Sequence, residues 1–376
     1  MKITPITKNR ILVVAVNCCR ALLAATFIFS GFVKANDPLG MVYKLADYAN
    51  TIAWFNPSET ILLGCAVILA FFEFTLGIYT LFGISRLKVS RATLVFMAAM
   101  TLLTVYIYFA NPVDDCGCFG DVIKLSNGAT LAKNVVLLAA ALLVARYYRL
   151  QANFIGASVK WLIAFMTLCS IIGYAVYCII YLPVLDFSPY KIGVNLRDGQ
   201  RQSFEVKIVY EKDGKTLELD ADDDDPDSTW TYVETRRTML EDTNLALSDF
   251  YVTDLDGEDI TSDIINADGY TLLLVIPQLT EADEGCVDKV NDAYDYATEH
   301  GIGFYCLTAS ADSTEQTYWE EHTGAEYVYN LAEDRMLKTL VRGKPGLILL
   351  HNGIIKNKWS NYNLPNEDEL KSILES

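Results

Sequence analysis

The chain has 376 residues, 52% of them apolar, and a formal net charge of −17 at pH 7. That length leaves room for two or three domains, and the apolar share is high for a soluble protein. Residues 1–182 carry 14 Lys/Arg against 7 Asp/Glu, whereas residues 183–376 carry 16 against 40; so acidic a second half excludes nucleic acid, whose phosphates require a basic surface.

Five apolar stretches reach the roughly 20 residues needed to cross a ~30 Å hydrocarbon core: Ile11–Phe32, Ile61–Phe82, Thr93–Ala110, Ala129–Tyr148 and Ser158–Leu182. The first follows Lys2, Lys8 and Arg10, as a signal peptide would. It is too long for a signal core and has no small-residue cleavage site before its polar exit, so a retained helix is expected. If the spans alternate, nine Lys/Arg fall in the segments on one side (Lys2, Lys8, Arg10, Arg86, Lys88, Arg91, Arg146, Arg149, Lys160) and three on the other (Lys34, Lys44, Lys124). The positive-inside rule then predicts a cytoplasmic N-terminus in a bacterial inner membrane. It also predicts that the loop holding Cys116 and Cys118, and everything after Leu182, faces the oxidising periplasm.

Two charges lie within spans. Arg20 is nine residues into the first and Glu73 twelve into the oppositely directed second. At 1.5 Å per residue their depths nearly coincide, so the two are expected to pair. Such a pair is either a structural clamp or a polar handle for a substrate or a quinone headgroup. Between these spans Met41, Leu45, Tyr48 and Ile52 share one helical face and Trp54 and Phe55 follow, the pattern of a short helix packed on the outer membrane surface.

The loop "NPVDDCGCFGDVIKL" follows the third span. Cysteines at i and i+2 close a small ring only where the backbone bends, and Gly117 eases that bend. A strained, exposed disulfide exchanges readily, as a relay requires. Asp114, Asp115 and Asp121 would raise the thiol pKa unless Lys124 or a helix terminus compensates. Three readings stand: a redox pair, a structural disulfide or buried thiols, and two ligands of a metal. The third needs further ligands, and His300, His322 and His351 all lie in the second half, so no metal is expected. Cys18, Cys19 and Cys169 lie inside spans as small apolar residues, whereas Cys65 and Cys178 each lie about one helical turn from the outer end of their span, within reach of the loop holding Cys116 and Cys118.

The runs "RALLAATFIFSGFVKANDPLG", "FFEFTLGIY" and "DCGCFGD" resemble the DoxX/MauE group of four-helix membrane proteins over residues 10 to about 150. The resemblance implies an α-helical membrane bundle with extracytoplasmic thiol chemistry, linked in some members to quinones. The expected domains are a four-helix unit at 1–152 and a fifth connecting helix at 153–185.

Residues 186–244 read as a small β region: "SFEVKIVYEKDGKTLELD" is a hairpin pattern and "TWTYVETRRTML" a third strand, with the solvated acidic run "DADDDDPDS" between them. From 245 the pattern becomes α/β: a hairpin opening at "LSDFYVTDLDGEDITSDII", a buried strand "YTLLLVIP", a helix "CVDKVNDAYDYATEHG", a strand "IGFYCLTAS", a helix "STEQTYWEEHTG", a hairpin "GLILLHNGIIKNKWS" and a closing helix "NEDELKSIL".

Residues 245–376 resemble the thioredoxin superfamily, in its TlpA-like or peroxiredoxin-like branch, through the D-F-x-x-x-D-x-x-G opening at Asp249 and the hairpin led by Pro345. The resemblance implies a cis Lys344–Pro345 bond opposite the active-site cysteines. This chain departs from the family there: "DEGC" stands where Cys-x-x-Cys is expected, with Cys286 in the second position and Asp283 in place of the attacking thiol. The neighbouring Glu281, Asp283 and Glu284 would raise the Cys286 pKa. Cys306, in a core strand, is read as inert. The domain is either a degenerate binding module or uses Cys286 with a thiol elsewhere. Two functions are therefore expected: a membrane-bound thiol–disulfide relay acting on an extracytoplasmic client, or a non-catalytic scaffold whose degenerate domain holds a partner.

Overall fold

The computed structural model describes residues 5–51, 57–111, 116–120, 122–123, 125–152, 155–201, 205–212, 215–220, 230–238, 247 and 249–374. These fall into two compact units, residues 1–187 and 188–376.

The first unit is helical: α1 (Pro5–Asn36), α2 (Pro38–Asn50), α3 (Glu59–Phe82), α4 (Arg86–Ala110), α5 (Asn127–Arg146) and α6 (Ala157–Tyr181). All but α2 contain a stretch long and apolar enough to cross a membrane. Leu102, Phe109 and Trp161 point outward, as side chains meeting lipid do. Inside, Leu23, Phe27, Leu76, Met97, Leu137 and Val144 make the core. Helices α1 and α3 approach with their backbones in contact. A Cβ built on Gly31 would lie 2.4 Å from the Phe74 nitrogen, and one on Gly77 2.6 Å from the Ile28 nitrogen. Small residues permit this in lipid, where close backbone packing takes the place of hydrophobic drive.

Helix α2 starts on Asp37, whose side chain accepts from the Gly40 N–H, and Pro38 takes the first helical position, where a missing N–H costs nothing. Its apolar face packs on α3: Met41, Val42 and Leu45 cluster with Leu62 and Ala66. Ile52, Trp54 and Phe55 lie outside the described residues.

The second unit holds two sheets. Strands β1 (Glu205–Lys212), β2 (Lys215–Asp220) and β3 (Thr231–Thr238) form an antiparallel sheet of order β2-β1-β3, so the expected hairpin and third strand are present. The acidic run at 221–228 lies outside the described residues. The second sheet has the order β4-β7-β6-β5-β8-β9, from β4 (Val252–Thr253), β5 (Tyr270–Ile276), β6 (Gly303–Thr308), β7 (Tyr329–Ala332), β8 (Gly346–His351) and β9 (Ile354–Ser360). Strand β5 is parallel to β6 and antiparallel to β8. With the helix Val287–Glu299 between β5 and β6 and the hairpin β8–β9, this is the thioredoxin-like arrangement. The remaining helices of the unit are α7 (Leu196–Arg201), α8 (Thr261–Asn266), α9 (Val287–Glu299), α10 (Ser313–Thr323), α11 (Asp334–Leu340) and α12 (Glu367–Leu374).

Every residue from Thr271 to Ile276 is buried. Leu272, Leu274 and Ile276 join a core with Val290, Ala293 and Ala297 of α9 and Trp319 of α10. The buried run is long because a central strand is covered on both faces. The expected hairpin opening is reduced to β4 and a short return that pairs Thr253 with Asp259, after which the chain turns into α8 rather than a second strand. Strand β7 and helix α11 were not legible in the sequence. Each is short, and β7 gains its ladder only from β4 and β6.

Candidate thiol site

The expected ion pair does not form. Arg20, buried, donates from Nε to the Thr80 carbonyl at 2.7 Å, from Nη1 to the Ala152 carbonyl at 2.5 Å and from Nη2 to the Leu81 carbonyl. It thus caps the C-terminal end of α3, whose last carbonyls have no partner within the helix. Glu73 pairs instead with Lys34, Nζ to Oε2 at 2.8 Å, with side chains 4% and 3% exposed. The two spans are not level: α3 is shifted along α1 so that its last turn, at Thr80 and Leu81, lies beside Arg20. Arg20 therefore faces the end of α3, while Glu73 faces Ser30 and Lys34, roughly 15–21 Å further along α1 at 1.5 Å per residue.

Ser30 and Lys34 stand four residues apart, on one face of α1. Lys34 Nζ donates to Ser30 Oγ at 2.7 Å, to Glu73 Oε2 at 2.8 Å and to the carbonyl of Cys118 at 2.8 Å. The Ser30 hydroxyl lies 2.7 Å from Glu73 Oε2 and 2.6 Å from the same Cys118 carbonyl. Two side chains of one helix thus grip one peptide of the loop. The sequence signal was there, since the run Ser30-Gly31-x-x-Lys34 puts a cation one turn above a serine near the end of a span.

Other contacts hold the rest of the loop. Tyr48 donates to the Cys116 carbonyl at 3.2 Å, and Asn127 Nδ2 donates to Asn111 Oδ1 at 2.8 Å across the loop's base. Gly117 has φ +64° and Gly120 φ +55°, the left-handed region where a side chain is costly. Phe119 is held edge-on by Phe29, its ring centroid 4.1 Å from Lys133 Nζ.

This bend sets Cys116 Sγ and Cys118 Sγ face to face at 2.6 Å. Cys116 is buried and Cys118 partly exposed. Cys118 is drawn down to about 7, mainly by the hydrogen bond from Cys116; burial opposes this, while Lys133 and Lys34 favour the thiolate and Glu73 disfavours it. Cys116 is pushed well above the usual thiol range because it holds the shared proton and is buried. Asp114, Asp115, Asp121 and Lys124 lie outside the described residues. Among the described residues, neither Cys65 nor Cys178 is within hydrogen-bonding distance of the pair; Cys178 is buried in α6 and Cys65 exposed on α3.

Residues 10–147 match the family model described as methylamine utilisation protein MauE. Residues 10–147 are a MauE-family membrane domain. The five apolar helices and the MauE domain make this a multi-pass membrane protein. Residues 198–241 match a model described only as a domain of unknown function, DUF8463. No curated protein sequence matches the chain. Among solved structures, the solution structure of a protein described as a disulfide isomerase from Bacteroides thetaiotaomicron is similar at 17% identity. The match covers 34% of this chain and 82% of that one, with a TM-score of 0.27.

The MauE domain's Arg20 and Glu73 do not fit a quinone headgroup. Both are buried, Arg20 is spent on backbone carbonyls and Glu73 Oε2 on Lys34 and Ser30.

In the thioredoxin-like unit the Lys344–Pro345 bond is cis, as expected. Cys286 is buried just before α9 and donates to the Asp283 carbonyl at 3.3 Å. Burial, then the Asp283 charge, push its thiol up to about 11. Glu281 is paired with Lys344, Oε2 to Nζ at 2.6 Å. Cys306 is fully buried in β6, and burial raises its thiol far above the usual range. Burial and the Asp283 charge thus disfavour the Cys286 thiolate near neutral pH.

Proposed function

We propose that this protein is a membrane-bound thiol–disulfide redox component whose exchange pair is Cys116 and Cys118. The pair acts on the extracytoplasmic side of a bacterial inner membrane, the side assigned by the positive-inside bias. The observation that carries this reading is the facing of the two sulfurs at 2.6 Å in a loop bent by two left-handed glycines and gripped from α1.

The chemistry follows from the asymmetry of the pair. The Cys118 sulfur, the one of the pair drawn toward the thiolate, attacks one sulfur of a client disulfide. That S–S bond breaks, and the leaving sulfur departs as a thiolate and takes up a proton. Cys116 then gives up its proton and attacks Cys118 Sγ, releasing the client's second thiol and closing the Cys116–Cys118 bond. Two electrons pass to the client, and the reverse sequence oxidises a client dithiol.

The thioredoxin-like unit is assigned a binding role in this scheme, because Asp283 replaces the attacking cysteine and Cys286 stays protonated. A scaffold that only binds a partner through this unit is the second reading, favoured by the same two residues. Acid quenching, differential alkylation and mass spectrometry of Cys116 and Cys118 in cells separate the two. A mixed population that shifts when respiration is blocked supports a relay; one fixed state under every condition leaves the scaffold. Cys116→Ser abolishes function in the first case and is neutral in the second, provided the protein accumulates.

A further inference from the structure

A buried lysine–glutamate pair is an expensive way to join two helices, since its desolvation offsets most of its attraction. Helices α1 and α3 do not need it, because their backbones already meet at Gly31 and Gly77. Among the described residues, the one hydrogen-bond partner of the Ser30–Lys34–Glu73 cluster outside these two helices is the Cys118 carbonyl. The donors also balance. The ammonium has three N–H groups for three acceptors, Ser30 Oγ, Glu73 Oε2 and the Cys118 oxygen, and the serine proton is shared between the last two. Glu73 accepts from the Lys34 ammonium, and Ser30 and Lys34 hold the peptide that carries the reactive sulfur.

We propose that Lys34, held by Glu73 and assisted by Ser30, is the positioning residue of the Cys116–Cys118 pair, and that its grip on the Cys118 carbonyl sets the equilibrium between the pair's dithiol and disulfide forms. The inference rests on the redox reading of that pair. Fixing the Cys118 peptide holds one sulfur over the other and raises their effective concentration. A loosened loop samples geometries from which the ring cannot close.

The test is a glutathione titration of the purified full-length protein in detergent, in which oxidised glutathione takes two electrons and two protons from the pair and leaves as two reduced molecules. The Cys116–Cys118 disulfide fraction is read by alkylation and mass spectrometry. Lys34→Met is expected to disfavour the disulfide at least about tenfold, equivalent to about 30 mV for this two-electron couple. Lys34→Arg should recover most of the wild-type midpoint, and Ser30→Ala, which keeps the ion pair, should shift it partway. Should Lys34→Met fail to accumulate, Ser30→Ala decides alone. A wild-type midpoint in either Lys34→Met or, failing that, Ser30→Ala overturns the positioning role and leaves the redox reading intact. A wild-type protein that forms no Cys116–Cys118 disulfide at any ratio removes the redox reading itself, and this inference with it.

Discussion

The backbone N–H of Asp283 donates to the carbonyl of Lys344 at 2.9 Å, so an aspartate stands beside the cis proline of the thioredoxin-like unit. Its carboxylate accepts from Asn361 Nδ2 at 2.8 Å and from the Gly285 N–H at 2.9 Å. The position is thus built and occupied, but by an acid rather than a thiol. Asp283→Cys is expected to give a dithiol with Cys286 that closes under mild oxidation, read as the loss of two alkylation sites by mass spectrometry. Two sites that stay alkylatable after oxidation would mean that the loop does not present the position to Cys286.

The pH behaviour of the two units should differ. Cys286, raised to about 11, is about one part in a thousand thiolate at pH 8, and its alkylation rate should climb tenfold per pH unit up to that pKa. Asp283→Asn removes the second cause of the shift and should speed alkylation at pH 8, while burial keeps it well below that of a free thiol. The raised pKa adds stability that is present below the unfolded thiol's value and lost as pH rises toward 11.

Cys118 has the opposite sign. Drawn down to about 7, it should react with iodoacetamide in the reduced protein along a single titration near that pH, falling tenfold per unit below it. Cys116→Ala removes the donor that is the largest cause and should move the titration upward, whereas Cys116→Ser, which retains an O–H donor, should move it less. The stability linked to Cys118 is present above the unfolded thiol's value and lost as pH falls through about 7. A Cys118 rate with no inflection between pH 6 and 8 would contradict the shared-proton geometry.

Gly117, at φ +64°, has the Lys44 stem 3.4 Å from where a Cβ would sit. Gly117→Ala should therefore cost about 1–2 kcal/mol in backbone strain. Because that strain falls between the two sulfurs, the disulfide fraction at a fixed glutathione ratio should drop with little change in helical content by circular dichroism.

Arg20 should matter for stability alone. Arg20→Met leaves the carbonyls of Thr80, Leu81 and Ala152 without this donor, at about 1–3 kcal/mol for each one left unsatisfied. Thermal unfolding in detergent should shift downward, with the glutathione midpoint of Cys116 and Cys118 unchanged in the surviving protein. A changed midpoint at full stability would restore a functional role to this residue.

The sequence by itself determined whatever depends on local pattern. Five helices of spanning length, the Cys-x-Cys loop between two of them, the buried strand Tyr270–Ile276, the hairpin after Pro345 and the absence of a thiol at Asp283 all follow from residue type and spacing, because apolar length, period and ring size are properties of neighbouring residues. The partners of Glu73 and Arg20 do not. They depend on how far α3 is shifted along α1, and that shift is set where Gly31 and Gly77 let the two backbones touch. Only the tertiary structure could therefore show that Glu73 answers Lys34 and that Lys34 and Ser30 both close on the carbonyl of Cys118: a hydrogen bond between Lys34 and Cys118, 84 positions apart, is decided by packing geometry, which no local period encodes.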